Sequence, residues 1–300
     1  MKSLIKPEKT ILRAVDDISF SIPEGEITAF IGPNGAGKST TVKMMCGILK
    51  PTGGEILIHG KNPAKERTQV VQSLGVVFGQ RTQLAWDLRL GESFELMKHI
   101  YQIDRGMYEE NLKIMDEILD ISQFIDTPVR QLSLGQRMRG DLAAAMLHSP
   151  KVLFLDEPTI GLDVEGKYAI RKFIKEINRQ KGTTVILTTH DLGDIEQLCK
   201  RLIIINKGKI VEDGALDELI DRIAPCKNLV VEYYDENYVQ HDKAQIIGRN
   251  KNVVTYQFRK SEITGAGLIC DISNRAKIKD ATIQETKIDD IIRIAYGREC

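Results

Sequence analysis

Nine residues, GPNGAGKST at 32–40, limit most narrowly what this 300-residue chain can fold into. An apolar, β-rich run, EITAFIG (26–32), leads into them, and the helix-like KSTTVKMMCGIL (38–49) leads out. A strand therefore enters the stretch and a helix leaves it. Gly32, Gly35 and Gly37 free the backbone for a tight turn. The chain through Pro33, Asn34 and Ala36 can then curl until its N–H groups converge on an anion at the start of the helix. Lys38 adds a cation that reaches along a bound polyphosphate, Ser39 offers a hydroxyl to Mg²⁺, and Thr40 completes the pattern. Gly-x4-Gly-Lys-Ser/Thr between a strand and a helix is the P-loop, a nucleotide-phosphate cradle.

A strand feeding such a loop implies a parallel sheet with ligands at the carboxyl ends of its strands. The rest of the chain fits that frame. EILIHG (55–60), GVVFG (75–79), KVLFLDE (151–157), TTVILTTH (183–190) and RLIIINKGK (201–209) read as strands, with helices over about 165–180 and 192–199. Their apolar residues do not alternate, as expected of strands covered on both faces. Between Trp86 and Leu147 the strand signal stops, and Tyr108, Leu112, Met115 and Leu119 recur on one helix face. After Asp213-Gly214 and a short helix the pattern changes again. NLVVEYY (228–234) and NVVTYQF (252–258) read as antiparallel strands, and KIDDIIRIAYG (287–297) as a last amphipathic helix. The expected architecture is α/β: a P-loop NTPase core over 1–222 with a helical subdomain at about 84–148, then a small α+β domain over 228–300.

Composition excludes several classes of function. Lys plus Arg and Asp plus Glu both number 42, so no global attraction to nucleic acid is expected. No run approaches the ~18 apolar residues of a membrane span, and the first residues lack a signal peptide's apolar block. Cys46, Cys199, Cys226, Cys270 and Cys300 are dispersed without metal-ligand spacing, as in a reducing compartment.

Three further places carry chemistry. In KVLFLDEP (151–158) an apolar strand delivers Asp156 and Glu157 to its carboxyl end. Beside a P-loop, Asp156 is expected to hold Mg²⁺ through water, and Glu157 to orient and polarise an attacking water. His190 ends another apolar strand, where it can contact the γ-phosphate and steady Glu157. In VRQLSLGQRMRG (129–140), Ser133 precedes a long run of helix formers, which marks a helix start with its anion-attracting N–H groups. No anion site lies near it in sequence.

Taken in order, GPNGAGKST, Gln80 in GVVFGQ, LSLGQ, LFLDEP with GLD, and His190 resemble the ATPase subunit of ABC transporters over residues 15–222. The resemblance implies ATP and Mg²⁺ as ligands. It makes Gln80 the residue that meets Mg²⁺ or the attacking water, and Asp163 the D-loop aspartate. It makes Leu132, Ser133, Leu134, Gly135 and Gln136 the signature, with Leu134 where the family has Gly. In that family two ATPase subunits pack head to tail, so the signature helix of one points at the γ-phosphate held by the other. The implied partners are a second copy of the chain and a separate membrane-embedded permease, with the ATPase on its cytoplasmic side. VVFGQRTQLAWDL (76–88), LSLGQRMR (132–139), LFLDEPTIGLD (153–163) and ATIQETKIDDIIRIAYG (281–297) further resemble ATPases of ABC-2-type exporters of the viologen and multidrug kind; Trp86 falls in the region where the family docks its permease, and a buried core tryptophan is the equal alternative.

Two other readings stand beside this one. A soluble ABC ATPase acting on the ribosome or DNA would carry two ATPase domains or a long coiled coil, and the sequence has neither two P-loops nor sustained heptads. A nucleotide-sensing regulatory subunit would not need Glu157 and His190.

Residues 1–19 contain no Phe, Tyr, Trp or His, so the aromatic on which the family stacks adenine has no counterpart there. Stacking a base on an aromatic is worth roughly 1–3 kcal/mol, so its loss is expected to cost about ten-fold or more in affinity and to leave ATP and GTP weakly discriminated. A competition titration in which large excesses of GTP fail to displace ATP would reveal a base contact elsewhere.

Overall fold

The computed structural model describes residues 12–79, 81–284 and 288–297. The chain divides into two compact units between Gly214 and Ala215.

In the first unit, β1 (Ile27–Ile31) leads through the glycine-rich turn to α1 (Lys38–Met45), and α2 (Arg67–Val71) leads to β2 (Leu74–Phe78). Three helices follow: α3 (Leu90–Tyr101), α4 (Arg105–Leu119) and α5 (Leu134–Met146). β3 (Val152–Asp156), α6 (Val164–Lys181), β4 (Thr184–Thr188), α7 (Leu192–Leu198), β5 (Arg201–Asn206) and β6 (Lys209–Ala215) complete it. The sheet order is β2-β3-β4-β1-β5-β6, and the first five strands in that order pair in parallel. β1 and β4 are buried along their whole length, which is why their sequences are apolar without alternation. β3, β4 and β1 lie side by side, so the loops leaving their carboxyl ends open onto one edge of the sheet.

The helical segment is as the periodicity predicts. On α4, Tyr108, Met115 and Leu119 are buried, and Leu112 is half-buried. Asp104 caps the helix by accepting from the N–H of Gly106 and Met107. Among the described residues no helix is long and apolar enough to cross a membrane.

Three local expectations change. EILIHG (55–60) forms no strand. His59 and Gly60 take positive φ (48° and 75°), and this tight turn returns the chain so that Ile58 exchanges backbone bonds with Lys61. Ile56 and Ile58 still pack on the cluster around Phe30, Phe154 and Ile186, so the apolar pattern reported burial rather than pairing. The helix expected over 38–49 stops at Met45, because Gly47 turns left-handed (φ 68°) against Pro63. Beyond β5, Lys207 and Gly208 both have positive φ, the geometry of a two-residue hairpin turn, and the unanticipated β6 follows.

The second unit holds α8 (Leu216–Ile223), β7 (Cys226–Tyr233), β8 (Ala244–Asn250), β9 (Val253–Arg259), α9 (Gly265–Ser273), β10 (Ile278–Gln284) and α10 (Ile288–Gly297). Its sheet, β10-β7-β9-β8, is antiparallel throughout, with β7 and β9 adjacent. Alternate residues of β7 and β9, among them Leu229, Val231, Tyr256 and Phe258, form a core with Leu268 and Ile272 of α9. The Tyr233 and Tyr256 hydroxyls meet at 2.6 Å, so neither buried phenol is left unpaired.

Asp141 on α5 fastens the segment after β2. Its Oδ1 accepts from the Thr82 hydroxyl (2.8 Å) and the Gln83 N–H (3.0 Å). Burial raises its carboxyl to about 6, against the opposing pull of those donors and of Arg137. Because the folded value lies above that of an unfolded aspartate, folding takes up a proton between about pH 4 and 6, and stability falls as pH rises through that window. Asn can accept the same two bonds without the charge. Asp141→Asn is therefore expected to stabilise the protein at pH 8 by up to about 3 kcal/mol, with the gain vanishing near pH 4. Urea unfolding at the two pH values tests this; an equal or larger gain at low pH would contradict it.

Candidate functional site

The glycine-rich turn is shaped by steric exclusion. A β-carbon on Gly32 would lie 2.1 Å from the Ile205 carbonyl oxygen, and one on Gly37 2.4 Å from that of Ala14. Gly35 (φ 81°) faces open space and is required only for its conformation. The turn is closed by the Ala36 N–H donating to Pro33 O and anchored by the Gly208 N–H donating to Ala36 O. Gly37 opens α1 without a side-chain cap, so the first N–H groups of the helix stay available. Lys38 is buried and donates to the carbonyls of Gly32 (2.5 Å) and Pro33 (3.2 Å). Burial lowers its pKa, while Glu157 and Asp156 pull it back up. Ser39 is exposed, and Thr40, on the same first turn, is half-buried.

The carboxylates arrive from β3. Asp156 is its last residue and accepts a bond from the Thr188 hydroxyl of β4. Glu157 takes a left-handed backbone (φ 56°), and its N–H donates to Thr188 O. Gly79 packs so closely here that a β-carbon would sit 2.5 Å from the Glu157 carbonyl oxygen. The Glu157 carboxylate meets His190 twice, at the ring Nε2 (3.3 Å) and at the backbone N–H (3.3 Å). Burial raises the Glu157 pKa, and His190 is the foremost influence against that rise. Lys38, Asp156, Glu157 and His190 thus converge from β1, β3 and β4. Gln80, expected to join them, lies outside the described residues.

LSLGQ stands apart from this cluster. Ser133 is the N-cap of α5: its Oγ accepts from the Gln136 N–H, and the Gln136 side chain accepts from the Ser133 N–H. That box leaves the backbone N–H groups of Leu134 and Gly135 for another acceptor. Leu132 is half-buried, while Ser133 and Leu134 are exposed. A β-carbon on Gly161 would lie 3.0 Å from the Leu134 side chain, which keeps residue 161 small. Asp163 caps α6, accepting from the Gly166 N–H at 2.8 Å.

Residues that the sequence does not single out tie the site together. Asp194, fully buried, accepts from the hydroxyls of Thr159 (2.5 Å) and Thr189 (2.9 Å) and from Arg171 Nε (2.7 Å). Arg171 also bonds Asp191, which takes a second bond from Lys167. Nothing local in the sequence marks this network, because its members come from four separate segments.

The arrangement supplies a polyphosphate cradle, a buried cation, and a carboxylate backed by an imidazole. Known proteins resemble the chain in sequence and fold. The sequence profile of the family described as ABC transporter matches residues 15–160. The ABC transporter ATP-binding protein YhcH of Bacillus subtilis, itself uncharacterized, is 37% identical over 208 residues, covering 69% of this chain and 67% of that protein. The methionine import ATP-binding protein MetN of Geobacillus kaustophilus is 35% identical over 294 residues, covering 95% of this chain and 84% of that one. Among solved structures, the dimeric post-hydrolysis state of the ATP-binding cassette MJ0796 bound to ADP and Pi superposes with a TM-score of 0.63 at 27% identity, over 70% of this chain and 94% of that one. With the sheet order, the glycine turn and the strand-end carboxylates in place, the chain belongs to the ABC transporter family, as an ATP-binding ATPase subunit.

Proposed function

We propose that this subunit powers a separate membrane permease of ABC-2 exporter type, by closing as a head-to-tail dimer of two copies over two ATP molecules and reopening on hydrolysis. The observation that carries the reading is the Glu157–His190 contact at the end of β3, within the field of Lys38. The turn from Gly32 to Gly37 would receive the β-phosphate on its N–H groups, with Lys38 leaving its carbonyl partners for the β- and γ-phosphates. Glu157, its basicity raised by burial, accepts the proton of the attacking water. His190 orients that carboxylate and faces the γ-phosphate.

The residues also fit Mg²⁺. The exposed Ser39 hydroxyl begins α1, and the Asp156 carboxylate, steadied by Thr188, ends β3. Ser39, Gln80 and Asp156, the last through water, would hold the ion. Mg²⁺ would offset negative charge on the phosphate oxygens. Ser133 and the backbone of Gly135 serve the second subunit's nucleotide, which supplies the anion for this helix start, and Asp163 stands as the D-loop aspartate. Coupling follows if ATP binds the closed dimer better than the open one.

The subunit would sit on the cytoplasmic face of the membrane through its permease. Relatives named for multidrug and bacitracin transport support export. Import is the second reading, favoured because the relative named for methionine import matches 95% of the chain. The direction of substrate movement in proteoliposomes decides between them.

Glu157→Gln is expected to keep ATP binding, slow hydrolysis at least about a hundred-fold, and accumulate ATP-bound dimers on a sizing column. A monomer that still turns over would remove Glu157 from this role. The shared site is tested with a covalently linked dimer that pairs a Lys38→Ala/Gly135→Asp half with an unaltered half. Acting across the interface, each site then carries one lesion and the dimer is inactive. Turnover near half that of the unaltered linked dimer would mean that α5 serves its own chain's nucleotide.

A further inference from the structure

The Glu157–His190 contact needs two separate loops to keep a fixed register. Glu157 lies on the loop after β3 and His190 on the loop after β4. The His190 side chain is half exposed, so packing alone does not hold it. Its neighbours are fixed instead. Thr189, just before it, donates to Asp194 at 2.9 Å. Asp191, just after it, bonds Lys167 at 2.5 Å and Arg171 at 2.9 Å. On the other loop Thr159, two residues past Glu157, donates to the same Asp194 carboxylate oxygen at 2.5 Å. One carboxylate oxygen therefore bridges the two loops, and Arg171 Nε balances its charge from the other side at 2.7 Å. Burying a carboxylate completely against an arginine rarely gains stability over an apolar packing of the same volume, so the use of the pair lies in the geometry it fixes.

We propose that Asp194 is the positioning residue that sets the register of His190 against Glu157. This rests on the roles assigned to that pair above. Asp194 does not touch the nucleotide; it acts through His190.

The test is a double-mutant cycle in the full-length chain, with ATP cleavage followed in single turnover so that slow variants remain measurable. Asp194→Asn keeps the side chain's size and removes the charge that holds Arg171. It is expected to slow cleavage about ten- to hundred-fold, because small misplacements of reacting groups cost on that order. ATP binding should stay within about three-fold of the unaltered protein, a split that general loss of structure would not give. In a His190→Ala background the same change should cost less than about three-fold, since the residue it acts through is gone. Equal slowing in both backgrounds would overturn the proposal, as would an unslowed Asp194→Asn protein. If Asp194→Asn does not fold, as judged by circular dichroism and sizing, Thr159→Val replaces it under the same expectations. That change breaks the bridge and leaves the Asp194–Arg171 pair. Wild-type cleavage by Glu157→Gln and His190→Ala would remove the underlying reading. An inactive Glu157→Gln with an additive cycle overturns this proposal alone.

Discussion

The seat of the phosphate turn on β5 governs the rest of the site. Gly32 passes so close to the Ile205 carbonyl that no side chain fits between them, and Gly37 stands in the same relation to Ala14. Lying this flat, the turn lets α1 start directly behind β1 and returns Lys38 over the carbonyls of Gly32 and Pro33. β1 is next to β4, and β4 next to β3, so the same seating brings the lysine into the field of Asp156 and Glu157. A methyl group at position 32 would lift the turn and, with it, the cation.

Burial acts on both signs of charge here. It draws Lys38 down and Glu157 up, so each is moved toward its neutral form before any nucleotide is bound. The cost is met during folding; under the proposed roles, dipoles and charges aimed in advance need no rearrangement when the reaction begins. The Asp156–Thr188 bond belongs to the same arrangement, because it fixes a carboxylate at a strand end that would otherwise swing into solvent.

Much of this was legible in the sequence because the decisive signals are local. Three glycines and a lysine at fixed spacing report a turn. Ser133 before a run of helix formers reports a helix start, where the Ser133 and Gln136 side chains form reciprocal bonds to the backbone. Apolar runs ending in Asp156 or His190 report strand ends. What escaped is what depends on distant partners. Ile56, Leu57 and Ile58 form an unbroken apolar run like a covered strand, yet the turn at His59-Gly60 takes the backbone bonds a neighbour would need. β8 and β10 are edge strands, and their mixed polar and apolar sequences AQIIGRN and IKDATIQ leave little apolar pattern to read. Asp194 and Arg171 look like ordinary surface charges of amphipathic helices until the fold places them against Thr159 and Thr189.

Glu157 holds a left-handed backbone conformation with a full side chain. A residue with a β-carbon gives up roughly 1–2 kcal/mol there relative to one that adopts the conformation freely. Glycine or asparagine would suit the backbone better. Under the proposed role, the substitutions that best relax this position also delete the group that activates water. Directed evolution of this chain for thermal resistance alone would therefore drift toward inactive proteins at residue 157, and a screen that rewards only folding would count them as improvements.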